Sequence, residues 1–315
     1  MKNMKLENQL PFGEFCKKYI KDQKIKSAED FSIDLHDLAV NFTEFYSLAT
    51  PLTIQQLKEK FTSPTLIISP NPLGGKLRGI NMTNGKGITT IHYSDTEAPA
   101  AQVYTTLHEC FELIDSSFSK ILGIKNQGPE IEKLADKFAA HVQAPAKLIH
   151  SSFHEHGLNL IRIRKNFDCS YLTALIQLRI VLRSAYQKEP IPILGVIYEK
   201  PIWNLKPGQK KQNLDYGGLV NGFDSLQINY KDKKKNTKNM YIKVGRKKSN
   251  LHSVIMRKKP LYLKKTTLFF ADNEIPVSLL IQIVRYPEKK LSKVIALMAP
   301  IHHNVFEKVQ NSNNN

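Results

Sequence analysis

Residues Thr105–Ile114 read TTLHECFELI, and the expected fold is built around this stretch. His108 and Glu112 are four residues apart, so on a helix they lie on one face, with Glu109 one position away. In the HExxH motif, two histidines at this spacing bind Zn²⁺ and the glutamate between them is the general base. Here Glu112 replaces the second histidine, and a carboxylate oxygen is also an accepted zinc ligand.

The same stretch, taken alone, also fits an ordinary amphipathic helix. Leu107, Phe111 and Ile114 would then form the buried stripe, and the histidine and glutamates would form an exposed acidic edge. Cys110 is expected to point away from the ligand face and to serve in packing. A metal site therefore needs further ligands from elsewhere in the chain.

A second stretch, Glu130–Ala140, supplies such ligands and reads EIEKLADKFAA. Glu132 and Asp136 lie four residues apart, on a predicted second helix that follows a short loop. The first carboxylate would be a third metal ligand, and the second would hold the imidazole of His108 in the correct tautomer. Three protein ligands leave one position open for water, as in catalytic zinc sites.

The pairing of LHExxE with ExxxADKFAA and a following Pro145 resembles the ImmA/IrrE family of gluzincin-type metallopeptidases. That resemblance implies that His108 and Glu132 are metal ligands, that Glu109 is the base, and that Asp136 orients the histidine. The packing part of the family pattern is matched by Ala135, Phe138 and Ala139.

Glu112 departs from the family pattern, because it stands where relatives carry their second histidine. We predict that it is nevertheless a metal ligand. A His-Glu-Glu set carries one more negative charge than His-His-Glu, so it should bind the ion firmly but leave it a poorer Lewis acid. The expected cofactor is Zn²⁺, with Mn²⁺ as the alternative, and the expected cleavage is slow or tightly conditional.

Residues 65–93 alternate with period two, and the Asn84-Gly85 dipeptide between two runs predicts a β-hairpin. By analogy with gluzincin-like folds, the strand Ile88–Tyr93 is expected to lend its edge to an extended peptide. His92 and Tyr93 are candidates to stabilise an oxyanion. The alternative for both is an ordinary core or surface role.

The helix that carries the motif is predicted over Glu97–Leu122. Asp95 or Thr96 would cap its start and Gly123 would end it. His150, His154 and His156 form a later cluster, and we interpret it as a solvated helix end rather than a metal site. His141, on the second predicted helix, could also approach the cleft and is an outside candidate.

The sequence predicts an α+β protein with several parts. They are a helical preface (1–60), a zincin-like metallopeptidase core with a small sheet and an active-site helix (61–157), a helix-turn-helix-like segment (158–189), a C-terminal sheet-containing domain (190–310) and a disordered tail (311–315). The helix-turn-helix shape and the C-terminal domain, which resembles a GAF fold in order and size, also follow the family. The second helix of this segment has little polar surface, which favours structural packing over base recognition; its apolar residues are Leu172, Leu175, Ile176, Leu178 and Val181.

The net charge of +18 is concentrated between Lys200 and Lys265. This region contains 18 lysines and arginines but only three acidic residues, all aspartates, which gives it a net charge of +15. Such a region favours a polyanionic partner, and nucleic acid bound by the C-terminal domain is one candidate. The alternative is a lysine-rich solubilising surface. Lys231–Lys238 is expected to be an exposed loop.

No apolar run is long enough to cross a bilayer, and the first residues lack the apolar core of a signal peptide. The expected location is the cytoplasm, with no membrane partner. Three scattered cysteines are too few for a disulfide framework and are expected to be reduced thiols.

The predicted function is that of a zinc-dependent endopeptidase. The family resemblance implies a protein substrate, typically a helix-turn-helix transcriptional repressor, cleaved in a stress or mobile-element response. The alternative is a weak or inactive peptidase-fold regulator that acts by binding a protein or a polyanion.

Overall fold

The computed structural model describes residues 11–74, 77–124 and 130–184, together with seven strands further along the chain. Within these residues the architecture is mixed α+β. The helices are α1 (Gly13–Asp22), α2 (Leu35–Phe45), α3 (Ile54–Phe61), α4 (Pro99–Leu122), α5 (Ile131–Gln143), α6 (Ala146–His156), α7 (Leu160–Phe167) and α8 (Tyr171–Ser184). The strands are β1 (Leu66–Asn71), β2 (Gly79–Thr83), β3 (Thr89–Ser94), β4 (Leu194–Glu199), β5 (Gly217–Asn221), β6 (Tyr241–Val244), β7 (Lys247–Asn250), β8 (Leu261–Phe270), β9 (Asn273–Tyr286) and β10 (Leu291–Pro300).

The chain divides into two compact units. Unit 1 consists of Met1–Ala146 with Arg164–Thr173, and unit 2 consists of Lys147–Ile163 with Ala174–Asn315. Unit 1 thus combines the residues predicted as a helical preface with most of those predicted as the peptidase core. The candidate metal ligands all lie in unit 1.

Unit 1 contains a three-stranded sheet in the order β1-β3-β2. Strand β3 pairs in parallel with β1 and antiparallel with β2. The predicted hairpin is confirmed: the Asn84 N–H donates to the carbonyl of Ile88 at 3.0 Å, and the Gly87 N–H donates to the carbonyl of Asn84 at 3.0 Å. The predicted free edge on Ile88–Tyr93 is wrong, because β1 pairs with the side of β3 that the hairpin leaves open.

Helix α4 begins at Pro99, whose fixed φ and missing N–H suit a first helical turn. The predicted caps Asp95 and Thr96 are wrong, because Ala98 is the N-cap and makes no side-chain cap bond. The hydroxyl of Thr96 instead lies 2.9 Å from that of Ser94. At the other end Gly123 has φ 68°, which confirms the predicted left-handed end of the helix.

The apolar face of α4 forms the centre of the core of unit 1. Leu107, Phe111 and Ile114 are fully buried, and Cys110 is buried among them as predicted. Phe138 on α5 packs with its ring centroid 5.2 Å from that of Phe111. The stripe predicted for the amphipathic alternative is therefore present, and it lies beside the ligand face rather than replacing it.

Helices α7 and α8 are joined by the turn that the sequence predicts. Asp168 adopts a left-handed φ of 41°, and the hydroxyl of Ser170 accepts a 2.9 Å hydrogen bond from the N–H of Thr173. Apolar residues of α8 such as Leu175 and Leu178 are buried. This pattern fits the structural-packing interpretation of that helix.

In unit 2 the described strands β4–β10 form a seven-stranded antiparallel sheet in the order β5-β4-β10-β9-β8-β6-β7. The sheet agrees with the predicted sheet-containing domain, and the GAF-like fold remains a prediction. Lys231–Lys238, most of the basic region 200–265 and the tail 311–315 lie outside the described residues. None of the helices in the described part of the chain has the length and apolarity that crossing a membrane requires.

Helix α5 also packs against α2, and two histidines meet at this contact. The ring centroid of His141 lies 5.5 Å from that of His36, and Nδ1 of His141 is buried without a hydrogen bond. Burial lowers the pKa of His141 from its usual 6.5 to about 4. The charges of His36 and Lys137 contribute to this lowering, and that of Asp34 opposes it.

We expect acidification to weaken unit 1 through His141. Between pH 6.5 and about 4 the unfolded chain binds a proton that the folded chain does not, so stability falls as the pH falls. The loss from pH 7 to pH 4 should be roughly 2–3 kcal/mol. Urea unfolding of the wild type and of His141→Gln at several pH values measures it, since carboxylates common to both proteins cancel. Equal pH slopes in the two proteins would contradict this assignment.

Candidate metal centre

The two candidate ligand helices run antiparallel in unit 1. Three contacts between α4 and α5 show this direction. Near the start of α4, Ala100 contacts Gln143 at the end of α5. Further along α4, Tyr104 contacts Asp136, and His108 contacts Glu132 near the start of α5. The predicted reversal between the helices is therefore present. The reversal brings the carboxylate of Glu132 on α5 to the imidazole of His108 on α4.

His108, Glu112 and Glu132 form one group whose ligand atoms all lie within 4.8 Å of one another. Nε2 of His108 is 3.2 Å from Oε2 of Glu132 and 3.7 Å from Oε1 of Glu112. Ligand atoms around a tetrahedral zinc ion are separated by roughly 3.3–3.6 Å. The donor set, one imidazole nitrogen and two carboxylate oxygens, therefore fits a divalent ion such as zinc.

The other ring nitrogen of His108 has its own partner. Nδ1 lies 3.1 Å from Oδ1 of Asp136, and the hydroxyl of Tyr104 donates to the same oxygen at 3.1 Å and to the Asp136 carbonyl at 3.0 Å. The contact favours the tautomer with its proton on Nδ1 and leaves Nε2 free for an ion. Asp136 thus lies where the family resemblance implies.

Glu109 is 7% exposed and lies beside the ligand group on α4. Burial raises the pKa of its carboxyl, and a 2.8 Å hydrogen bond from the Asn81 amide opposes that rise. The same amide nitrogen donates to Oε2 of Glu112 at 2.7 Å. A buried carboxylate with a raised pKa is a better proton acceptor than an exposed one, which suits the predicted general base.

The charges of the site act strongly on His108. Burial lowers its pKa, but the nearby carboxylates, Asp136 and Glu112 foremost, outweigh burial and raise the pKa to about 10. The contact with His108 in turn lowers the pKa of both Glu112 and Asp136. The group therefore favours positive charge at its centre, which a proton on His108 provides and a bound cation would also provide.

Strand β2 lies close against α4 at Gly79. A Cβ atom at this position would lie 2.3 Å from Cγ2 of Thr105 and 2.9 Å from Oε1 of Glu109. Both distances are shorter than a real carbon contact, so only glycine allows this approach. The approach in turn brings Asn81 within reach of the two glutamates.

The other two predicted site residues, His92 and Tyr93, lie on opposite faces of the sheet. Cross-strand partners share a face, so Asn81 and its partner Ile91 face α4, whereas the neighbouring His92 points to the opposite side of the sheet. Tyr93 is 4% exposed in the core, with Nζ of Lys58 5.4 Å from its ring centroid. His92 is thus directed away from the His108 group, whereas an oxyanion role for Tyr93, which shares the face of Asn81, stays a prediction.

The histidine cluster of α6 lies in unit 2. Nε2 of His150 and Nε2 of His154 are 3.1 Å apart on one helix face, and His156 contacts Glu155 at 3.4 Å. His154 is exposed to solvent. These histidines are separate from the His108 group, which is the group of three or more potential ligands found among the described residues.

Sequence reasoning missed Asn81, Tyr104 and Gly79. Tyr104 precedes His108 by four residues, so helical spacing alone places them on one face. Asn81 carries a weaker signal, a polar side chain on the strand face that also carries core residues. The close approach at Gly79 has no signal in the sequence beyond the glycine itself.

The fold and the site define a mixed α+β protein with a His-Glu-Glu group suited to a metal ion. No known protein family matches the chain, and no curated protein matches it significantly. Among solved structures, the chain is similar to a Mycobacterium tuberculosis transcriptional regulator, with a TM-score of 0.55 and 12% identity over 96% of this chain and 84% of that one. At this identity the likeness shows the fold alone.

We expect Gly79→Ala to destabilise unit 1 by about 1–3 kcal/mol, because the new methyl group overpacks the contact between β2 and α4. Gly74→Ala is the matched control, since a Cβ there meets nothing within 4 Å. In the Gly79→Ala background, Thr105→Ser removes the Thr105 methyl group that the new Cβ would meet, and it should restore part of the lost stability. Urea unfolding measures all three effects, and equal stability of the two alanine variants would refute the close approach.

Proposed function

We propose that this chain is a metal-dependent endopeptidase of the ImmA/IrrE type, with zinc as its ion. The observation that carries the proposal is the convergence of His108, Glu112 and Glu132 from two antiparallel helices. Two further observations support it: Glu109 is buried beside the group, and Asp136 contacts the outer nitrogen of the imidazole. This is the arrangement that metal-assisted hydrolysis needs.

The residues of the chain have distinct roles in this proposal. His108, Glu112 and Glu132 would hold the zinc ion, which when bound would supply Lewis acidity toward a peptide carbonyl and a water molecule. Glu109 takes a proton from the attacking water and returns it to the leaving amine. Asp136 and Tyr104 fix the ring of His108, so that Nε2 keeps its direction during the reaction.

Glu112 sets the expected rate. Its carboxylate adds negative charge to the ligand set, which strengthens ion binding but weakens the polarisation of the carbonyl. We therefore propose slow or conditional cleavage, and Mn²⁺ as an alternative ion, since carboxylate ligands suit harder metals. We propose that the protein acts in the cytoplasm. A protein substrate, such as a helix-turn-helix repressor, follows from the same family resemblance.

A second candidate is a peptidase-fold regulator that binds a protein or a polyanion without cleaving it. The replacement of the second histidine by Glu112 favours this function, and the similar solved structure is described as a transcriptional regulator. Nucleic acid is the polyanion that would suit the basic region 200–265. Metal content and product formation distinguish the two candidates.

The purified protein should hold about one zinc ion per chain, and Glu132→Ala and His108→Ala should each lose most of it. Glu130→Ala is the matched control, because Glu130 directly precedes the same helix but pairs with Lys133 at 2.8 Å. Mass spectrometry of the metal content after dialysis gives the stoichiometry. Metal-free wild-type protein with a normal unfolding transition would favour the second candidate.

Glu109→Gln should abolish cleavage while keeping the metal, because an amide keeps the shape of the side chain but cannot accept the proton. We expect at least a ~100-fold loss of rate, within the usual range for a general base. New protein N termini in cells that produce the wild type or the variant reveal the cleavage. Helix-turn-helix repressors encoded near the gene are the first purified substrates to test. Undiminished proteolysis by the variant would refute the assigned base.

A further inference from the structure

The two oxygens of Glu112 face different partners. Oε2 accepts a 2.7 Å hydrogen bond from Nδ2 of Asn81, whereas Oε1 faces Nε2 of His108 at 3.7 Å. The amide of Asn81 carries two N–H donors, and the second is directed at Oε2 of Glu109 at 2.8 Å. One oxygen of Glu112 is thus directed to the centre of the site and the other is held away from it.

This division matters because a carboxylate can bind a metal ion with one oxygen or with both. With one oxygen from Glu112, the three ligands fill three positions of a four-coordinate ion and leave one for water or substrate. With both oxygens bound, the carboxylate would occupy that remaining position. A histidine at the same place offers a single nitrogen, so the problem arises only because residue 112 is a glutamate.

Asn81 is held in place by the backbone of β2. Asn81 pairs with Ile91 on β3, and two residues earlier on β2 Gly79 pairs with Tyr93. The close approach of Gly79 to α4 fixes how near the amide comes to Glu112. Asn81 therefore acts on the glutamate from a separate, rigid element rather than from the same helix.

We propose that Asn81 is a positioning residue that keeps Glu112 a one-oxygen ligand and so keeps a coordination position open at the metal. The inference rests on the metal site of the proposed function. It assigns Asn81 the task of making an HExxE helix usable where relatives have HExxH. A merely structural amide would stabilise the fold equally whatever residue stands at position 112.

Cobalt provides the test, because four-coordinate Co²⁺ absorbs visible light several times more strongly than Co²⁺ with five or six ligands. All proteins carry His154→Ala, since two imidazole nitrogens 3.1 Å apart can bind a divalent ion weakly. The Co²⁺ spectrum is compared for the otherwise wild-type chain, Asn81→Ala, Glu112→His and the double variant. Asn81→Leu keeps the volume of the side chain and replaces Asn81→Ala if the latter does not fold.

We expect Asn81→Ala to lower the visible Co²⁺ absorption severalfold in the Glu112 protein and to leave it unchanged in the Glu112→His protein. An unchanged spectrum in the Glu112 protein, or the same loss in both backgrounds, would overturn the role of Asn81 while leaving the metal site intact. A wild-type chain that binds no Co²⁺ and no zinc would overturn both the metal site and this inference.

Discussion

The antiparallel packing of α4 against α5 is the constraint on which the site depends. Phe111 and Phe138 meet in the core between these helices, and the polar contacts between His108, Glu132 and Asp136 lie along the same helix pair. Burial of the aromatic side chains supplies the free energy that holds the helices together. The polar residues can then be arranged for binding rather than for stability.

The site concentrates charge of one sign. Four carboxylates surround the imidazole of His108, namely Glu109, Glu112, Glu132 and Asp136. Two like charges ~4 Å apart near a protein surface repel by about 4 kcal/mol, so such a group needs compensation. Without an ion, the proton on His108, the amide of Asn81 and the hydroxyl of Tyr104 provide it. A divalent cation would replace the proton and compensate twice the charge.

The core and the site also share the three-stranded sheet. Its inner face carries core residues such as Ile91 and Tyr93 next to the polar Asn81, so a single strand pairing positions both packing and chemistry. A slip of one residue in the pairing of β2 with β3 would move Asn81 to the opposite face of the sheet. The hairpin at Asn84 fixes that register within a few residues of the site.

The sequence by itself determined the left-handed end of α4 at Gly123, the hairpin, and the placing of His108, Glu112 and Glu132 on two neighbouring helices, because helical spacing and turn chemistry are local. It placed the start of α4 at Glu97 rather than at Pro99. The sequence also indicated Asp136, which follows Glu132 by four residues on the same helix. Only the tertiary structure decided that β3 lies in the middle of the sheet and that His92 faces away from the site. The role of Asn81 required it too, since that amide lies 28 and 31 residues from its partners. Contacts between distant segments depend on how sheets and helices pack, and no local pattern of residues encodes them.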